Sequence, residues 1–237
     1  KLKTGGADVL AVVTDVSSID EVEALSRRTL ALYGGVHLLF NNAGVQARNS
    51  IHYPVWENTP ADWEWLLGIN VWGLIYGIQT FVPVMLEQNT ECHIVNTSST
   101  AGLIAEPQLV IYSATKAAII KISEGLYLQL QERKAKIGVS VLCPAFVSSR
   151  LGDAERNRPQ HLQNEDRTPL SSEPPALVRR SRAAKLNVLS PEQSAEIVFQ
   201  AIRERRFYIF TDELVTRLFT QMAENIQGGR NPEVPQF

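Results

Sequence analysis

Short apolar runs alternate with helix-forming segments along this chain, and this alternation restricts the fold more than any other feature. The runs predicted to be strands are residues 7–14, 37–40, 92–97, 138–143 and 207–210. Helix-start signals at Ser18, Thr59-Pro60 and Ser190-Pro191 open segments that lie between these runs. Because parallel strands need a crossover connection that is usually a helix, the alternation predicts an α/β domain with a parallel sheet.

Chemically distinctive residues follow several of the predicted strands directly. They are Asp15, the run Asn42-Ala43-Gly44, Ser99, and the segment from Pro144 to Ser149. In open parallel sheets, ligands bind at the edge formed by the carboxyl ends of the strands. Packing alone gives no reason for such residues to recur at one edge, so the pattern predicts a binding site there.

Tyr112 and Lys116 are spaced to lie one turn apart on the same face of a helix. A nearby ammonium favours phenolate, so we expect Lys116 to lower the pKa of Tyr112 below its usual value of about 10. Such a tyrosine can exchange a proton with an alcohol or carbonyl oxygen. A surface pair at this spacing is common by chance, but Ser99, thirteen residues before Tyr112, favours the catalytic interpretation.

Five motifs, taken in this order, resemble those of the short-chain dehydrogenase/reductase family. They are Asn41-Asn42-Ala43-Gly44, Asn70 within Ile69-Asn70-Val71, Ser99, Tyr112-x-x-x-Lys116, and Pro144-Ala145-Phe146-Val147-Ser148-Ser149. The resemblance covers about residues 7 to 210. It implies a Rossmann-like, doubly wound parallel sheet. It also implies an NAD(P)-dependent oxidoreductase that interconverts an alcohol and a carbonyl by hydride transfer.

The resemblance further implies roles for single residues. Tyr112 would be the general acid/base, and Ser99 would hydrogen-bond the substrate oxygen. Lys116 would hold the nicotinamide ribose hydroxyls, and Asn70 would help a water relay to reach it. The residues that would contact NAD or NADP are Asp15, Val16, Asn42, Ala43, Gly44, Thr97, Tyr112, Lys116, Pro144, Ala145, Val147 and Ser149.

Simpler alternatives stand beside several of these roles. Ser99 and Asp15 are typical of turns and caps, and Gly44 is typical of a tight turn. Asn70 is equally explained as an amide satisfied between two helices. In the last motif, Ala145 replaces a glycine and Ser149 replaces a threonine, but serine keeps the hydroxyl that would contact the nicotinamide carboxamide.

The family pattern begins with a strand, a glycine-rich turn, a helix and a second strand, and the 237 residues contain none of these. Backbone amides of such a turn hold the cofactor pyrophosphate. We therefore expect the sequence to be N-terminally incomplete, with residues 7–14 as the third strand of a normal enzyme. The alternative is a non-catalytic binding or scaffold protein on the same fold. The genomic sequence upstream of Lys1 would distinguish the two.

We expect residues 1–237 to form a single dinucleotide-binding oxidoreductase domain. Residues 150–189 are polar and lack a clear period, so they are predicted to be a substrate-binding loop or lid. The arginines of this segment would suit an acidic substrate, although a solvated lid explains them as well. An epimerase or dehydratase is disfavoured, because residues 150–237 are too few for the substrate domain of those relatives. The segment that selects between NAD and NADP is not in the sequence, so both cofactors stay open.

Composition disfavours several other classes of function. The net charge of -2 gives no general attraction to nucleic acid. The spacing of the four histidines does not match that of metal ligands, and no metal is expected. Cys92 and Cys143 lie in predicted strands and are expected to be buried free thiols, which suits a reducing, cytoplasmic location.

Residues 66–86 are largely apolar, but Asn70, Gln79 and Pro83 interrupt them. We expect a helix buried in the core or in a subunit interface rather than a membrane span. In relatives, this helix and the Tyr112 helix build the subunit contacts, so the resemblance implies a homodimer or homotetramer. The expected partner is a small alcohol, ketone or aldehyde substrate.

Overall fold

Four parallel strands form the main sheet of the computed structural model, which describes residues 5–47, 53–165 and 187–236. The strands are β1 (Leu38–Asn41), β2 (Cys92–Thr97), β3 (Ile137–Cys143) and β6 (Tyr208–Phe210). Their order across the sheet is β1-β2-β3-β6, and each neighbouring pair is parallel. A separate pair of short parallel strands consists of β4 (Phe146–Val147) and β5 (Val188–Leu189). The predicted α/β architecture with a parallel sheet is confirmed.

Helices connect these strands and begin where the sequence predicts them to begin. In the described part of the chain they are α1 (Ile19–Tyr33), α2 (Pro60–Leu66), α3 (Gly73–Gln88), α4 (Val110–Glu132), α5 (Pro191–Arg203) and α6 (Glu213–Gln227). A π-helical segment, Leu67–Trp72, joins α2 to α3. The side chains of Ser18, Thr59 and Ser190 each accept a hydrogen bond from the backbone N–H three residues further on. These N-caps satisfy donors that a helix start leaves free.

The prediction of a strand at residues 7–14 is wrong. These residues have no regular secondary structure, and the side chain of Val13 is fully exposed. A strand is stable only when its backbone groups pair with a neighbour. Among the described residues β1 is an edge strand, with Leu38 and Phe40 each 41% exposed, and residues 7–14 do not pair with its outer edge.

Helices pack against both faces of the main sheet. Ile94 and Val95 are adjacent in β2 and therefore point to opposite faces. On one face, Ile94 packs in a cluster with Phe81 and Met85 of α3. On the other face, Val95 packs in a cluster with Val198 of α5. A sheet covered on both sides leaves its carboxyl edge as the place for a binding cleft.

The apolar stretch across α2 and α3 is packed into the protein. By length and composition alone, residues Pro60–Gln88 are able to cross a membrane. The core helix of a globular protein passes the same test, and Phe81 and Met85 are buried against the sheet. Trp65 and Leu66 are buried in a second apolar cluster, which also contains Tyr112. This packing agrees with the predicted core helix.

The predicted loop at residues 150–189 lies partly outside the described residues, which omit 166–186. Its first part contains two short 3-10 turns, Leu151–Asn157 and Gln160–Leu162, and its end contains β5. These short elements agree with the lack of a sequence period. The role of the segment as a substrate lid stays a prediction.

Candidate active site

A cavity of about 890 Å³ lies at the carboxyl ends of β1, β2 and β3. Most of the predicted catalytic and cofactor-binding residues line it. They are Asn42, Gly44, Thr97, Ser99, Tyr112, Lys116, Pro144, Ala145, Val147 and Ser149. Residues that are distant in the sequence are thus brought to one sheet edge, the edge on which the sequence analysis placed the site.

Tyr112 is a buried phenol that faces this cavity from the first turn of α4. Only 7% of the residue is exposed. Burial raises the pKa of Tyr112 to about 12, and a hydrogen bond with the Ser99 side chain opposes that rise. The expectation that Lys116 lowers the pKa of Tyr112 is wrong, because burial is the larger effect on the phenol and the group that opposes it is Ser99. Tyr112 is therefore a neutral proton donor at neutral pH.

Lys116 is buried beside Tyr112 and is held by a backbone carbonyl. Its Nζ donates a hydrogen bond of 2.9 Å to the carbonyl oxygen of Thr97 and lies 5.5 Å from the centre of the Tyr112 ring. Burial lowers the pKa of Lys116 to about 8, while the charge interaction with Cys143 raises it. Cys143 and Cys92 are both buried free thiols, as predicted. The Lys116 ammonium is therefore held in place, and it loses its proton near pH 8.

Asn70 is buried where three segments of the chain meet. Its side-chain oxygen accepts a hydrogen bond of 2.8 Å from the N–H of Val45, and its amide donates to the Val45 carbonyl at 3.0 Å. The same amide donates to Thr115 Oγ1 at 3.0 Å, and the Thr115 hydroxyl donates to the carbonyl of Tyr112. Asn70 thus joins the loop after β1 to the π-helical segment and to α4.

Ser98 and Gly102 bring the turn that carries Ser99 close to α4. The Ser98 hydroxyl donates a hydrogen bond of 2.7 Å to the carbonyl oxygen of Lys116. A Cβ atom at Gly102 would lie 2.6 Å from Ser98 Oγ and 2.7 Å from the Lys116 carbonyl oxygen. Glycine is therefore required for this approach, which the spacing between Ser99 and Tyr112 alone does not reveal.

Gly44 keeps open the space next to the Lys116 ammonium. A Cβ at this position would lie 3.3 Å from Lys116 Nζ and 3.4 Å from Asn70 Oδ1. Nearby, the Thr97 hydroxyl donates to Asn42 Oδ1 at 3.1 Å. An ammonium, a hydroxyl and an uncrowded backbone around one cleft fit the ribose and nicotinamide half of a dinucleotide.

The segment after β3 forms the opposite wall of the cleft. The N–H of Ala145 donates to Thr211 Oγ1 at 3.0 Å, and β4 pairs Val147 with Leu189. The Ser149 hydroxyl accepts a hydrogen bond of 3.3 Å from the N–H of Leu151. These contacts hold Val147 and Ser149 against the cavity, and their contact with a nicotinamide ring stays a prediction.

Asp15 and Val16 lie outside the lining of this cavity. The Asp15 carboxylate accepts hydrogen bonds from the N–H and the hydroxyl of Ser17, which makes a local turn before α1. Val16 packs against Gly73 at the start of α3. The turn is the simpler alternative for Asp15, and the cofactor role of both residues stays a prediction, as does that of Ala43.

Asp62 is a buried carboxylate that the sequence analysis missed. One oxygen accepts hydrogen bonds from Arg158 Nη1 at 2.8 Å and from Asn164 Nδ2 at 2.9 Å. The other accepts from the N–H of Thr59, which caps α2, while the Thr59 hydroxyl makes its shorter hydrogen bond, 2.7 Å, to Asn164 Oδ1. Burial alone would raise the pKa of Asp62, but these hydrogen bonds and the Arg158 charge lower it overall. This three-donor carboxylate, the Asp62 hub, fastens residues 158–164 to α2.

Arg158 completes the hub from the segment that follows the cavity wall. Its guanidinium lies 5.0 Å from the ring of Trp65, and its Nε donates to the carbonyl of Leu162. The sequence indicates the contact between Thr59 and Asp62, because these two residues have the spacing of a capping box. Nothing local indicates that Arg158 is the partner.

The described residues offer no alternative metal centre. Within residues 5–47, 53–165 and 187–236, no group of three or more His, Cys, Asp or Glu side chains is placed to hold a metal ion.

Comparisons with known proteins find relatives that are named dehydrogenases or reductases. A family model described as short chain dehydrogenase matches residues 1–160. The chain is 31% identical over 232 residues to the CLA biosynthesis dehydrogenase/reductase of Lactiplantibacillus plantarum, covering 97% of this chain and 79% of that protein. It is 30% identical over 211 residues to the C alpha-dehydrogenase of a Sphingobium species, covering 86% of this chain and 64% of that protein.

A solved structure extends the similarity to the whole described fold. The crystal structure of a short chain dehydrogenase/reductase from Burkholderia phymatum in complex with NAD matches with a TM-score of 0.89 and 41% identity. The match covers 100% of this chain and 82% of that one. The Rossmann-like fold implied by the sequence resemblance is confirmed.

We expect Gly102→Ala to destabilise the protein by about 1–3 kcal/mol, because the added methyl overpacks the contact between the Ser99 turn and α4. Gly125→Ala is the matched control. Gly125 lies inside α4 with nothing near its missing side chain, so the same change stabilises the helix by about 0.5–1 kcal/mol. Urea unfolding measures both variants, and equal stability changes would contradict the contact described for Gly102.

We expect Asp62→Asn to cost about 3 kcal/mol of unfolding free energy, because it leaves the buried Arg158 without its main charge partner. Glu155 Oε2, 3.5 Å from Arg158 Nη1, retains part of the attraction. Glu23→Gln is the control, since the Glu23–Arg27 pair is exposed and is worth less than about 1 kcal/mol. A loss for Asp62→Asn no larger than that of the control, in thermal or urea unfolding, would refute the hub.

Proposed function

Because this chain belongs to the short-chain dehydrogenase/reductase family, we propose that it is an NAD(P)-dependent oxidoreductase that interconverts an alcohol and a carbonyl. The observation that carries the proposal is the buried phenol of Tyr112, hydrogen-bonded to Ser99 in a cavity that Lys116 also lines. A neutral proton donor, a second hydroxyl and a cation converge there. A carbonyl oxygen needs such partners as it becomes an alcohol.

In the direction of reduction, Tyr112 gives its proton to the carbonyl oxygen of the substrate. The raised pKa of Tyr112 keeps the phenol protonated at neutral pH, so the acid is present in its donating form. The Ser99 hydroxyl has one hydrogen, which it donates to the same substrate oxygen once the substrate replaces its hydrogen bond with Tyr112. When bound, the reduced nicotinamide supplies the hydride to the carbonyl carbon, which gives an alcohol and the oxidised cofactor.

Lys116 balances the charge that Tyr112 acquires once its proton has left. The Lys116 ammonium lies 5.5 Å from the Tyr112 ring, and in a site with little water it stabilises a phenolate more than it would in solution. The same Nζ borders the space that Gly44 leaves open, where it can donate to ribose hydroxyls. Asn70 and Thr115 act as positioning residues, because they fix α4 relative to the loop after β1.

The cofactor proposal is NAD or NADP held along the cavity. The residues at hand for the ribose and nicotinamide are Asn42, Gly44, Thr97, Lys116, Pro144, Ala145, Val147 and Ser149. The similar Burkholderia phymatum protein binds NAD in its crystal structure, and the named relatives are dehydrogenases or reductases. These similarities support a redox reaction on a small molecule.

We extend the proposal to assembly and location. Trp72 on the π-helical segment and Leu128 on α4 are 50% and 60% exposed. Exposed large apolar side chains on these two helices suit a homo-oligomer, either a dimer or a tetramer. A fold with two buried free thiols suits a reducing, cytoplasmic location.

Tyr112→Phe tests the catalytic assignment. We expect kcat for ketone reduction to fall by about 10²- to 10⁴-fold, because the general acid is lost. Fluorescence titration with NADH or NADPH checks that the variant still has a folded nucleotide site. Tyr127→Phe is the control, since Tyr127 lies on the same helix but packs against Phe207, outside the cavity lining.

The outcomes of this test separate the two candidate functions. Retained turnover in Tyr112→Phe would remove the tyrosine from the mechanism. No binding of either nucleotide by the folded wild-type protein would favour the non-catalytic binding or scaffold alternative.

The pH dependence of reduction should follow Lys116 rather than Tyr112. The value of kcat/KM reports ionisations of the free enzyme, in which Lys116 has a pKa of about 8 and Tyr112 one of about 12. We expect kcat/KM for the reduced nucleotide to be constant at low pH and to fall above pH 8, because neutral Lys116 binds ribose hydroxyls less well. Steady-state rates measured between about pH 6 and pH 10 check this. A constant value up to pH 10 would contradict it.

A further inference from the structure

The cavity wall beside Tyr112 is apolar on both sides. Ala101 and Leu109 border the cavity from the segment between β2 and α4. Leu151 and Ala154 border it from the segment after β3, and all four pack in the apolar cluster that contains Tyr112. The cavity wall around the Tyr112 ring therefore includes hydrocarbon from two segments of the chain.

Charged side chains that reach the cavity are already engaged in the described part of the chain. Arg150 pairs with Asp153 at 2.6 Å, and Arg156 donates to the carbonyl oxygens of Arg150 and Asp153. Lys116 donates to the Thr97 carbonyl. Glu106 is 5% exposed and has an interaction of its own. Each of these groups therefore already has a partner within the protein, and in the proposed function Lys116 is taken up by the ribose and the Tyr112 phenolate.

The cavity is also larger than a small substrate requires. Its volume of about 890 Å³ lies near the upper end of the range of roughly 300–1,000 Å³ for small-molecule sites. It therefore accommodates more than a nicotinamide and a carbonyl group of two or three carbons.

Resting on the proposed function, we propose that the substrate is a ketone, or the matching secondary alcohol, that carries a long or bulky apolar substituent. The substituent lies between the Leu109 side and the Leu151 side of the wall, while the oxygen meets Tyr112 and Ser99. Hydride adds to the carbonyl carbon, the Tyr112 proton goes to the oxygen, and no charged group on the substrate is needed.

A series of methyl ketones tests this substrate class. The protein expressed from its complete gene is assayed with NADH and NADPH on propanone, butanone, hexan-2-one and octan-2-one. We expect kcat/KM to rise by about fourfold with each added methylene, the factor for burying one CH₂ group. The anion 7-oxooctanoate has the length of octan-2-one but ends in a carboxylate, and we expect at least a tenfold lower kcat/KM for it.

A pair of variants locates the effect. Leu151→Asn places an amide on the apolar wall and should lower the increase per methylene to less than about twofold. Leu32→Asn makes the same change on α1, where the residue is 53% exposed and is not part of the cavity lining, and should keep the full increase. Nucleotide titration of each variant confirms that the site is folded, and the wild-type series stands alone if Leu151→Asn fails this check.

The outcomes are distinct. Turnover with a flat or falling kcat/KM along the series, or a preference for 7-oxooctanoate, overturns the apolar substrate class and leaves the oxidoreductase assignment intact. No reduction of any ketone and no oxidation of the matching alcohols overturns the proposed function, and the substrate class falls with it.

Discussion

The hydrogen bonds of the buried Asn70 amide are the interaction on which the site depends most. One side chain holds Val45 after β1, its own π-helical segment and Thr115 of α4 in a single arrangement. A π-helical segment is a local departure from regular helix that often marks functional sites, and here it contains the residue that makes the junction. Because α4 carries both Tyr112 and Lys116, the position of both depends on this junction.

Desolvation, more than pairwise charge, sets the chemistry of the cleft. Burial raises the pKa of Tyr112 and lowers that of Lys116, so both groups favour their neutral forms more than they do in water. Simple proximity of a phenol and an ammonium would predict the opposite shift for Tyr112. Tyr112 therefore keeps its proton until a substrate takes it. Once the proton has moved, the Lys116 ammonium compensates the negative charge of the Tyr112 phenolate.

Signals confined to a few neighbouring residues predicted most of the fold correctly, and most of the residues that they proposed for the site line one cavity. The caps at Ser18, Thr59 and Ser190 mark helix starts because the interaction that stabilises each start is local. The prediction of a strand at residues 7–14 is wrong for the opposite reason, since an apolar run forms a strand only with a partner that lies elsewhere in the chain. The sequence does not predict the roles of Gly102 and Arg158 for the same reason. Gly102 lies against the Lys116 carbonyl and Arg158 against Asp62, and both partners are distant in sequence.

The Asp62 hub also bears on the order in which the molecule assembles. Its hydrogen bonds to Arg158 and Asn164 span 96 and 102 residues of chain. Closing so long a loop costs entropy that is repaid only after the intervening strands and α4 have formed, so such contacts come late in folding. The wall of the cleft is therefore the last part to become rigid, after the proton donor is already in place.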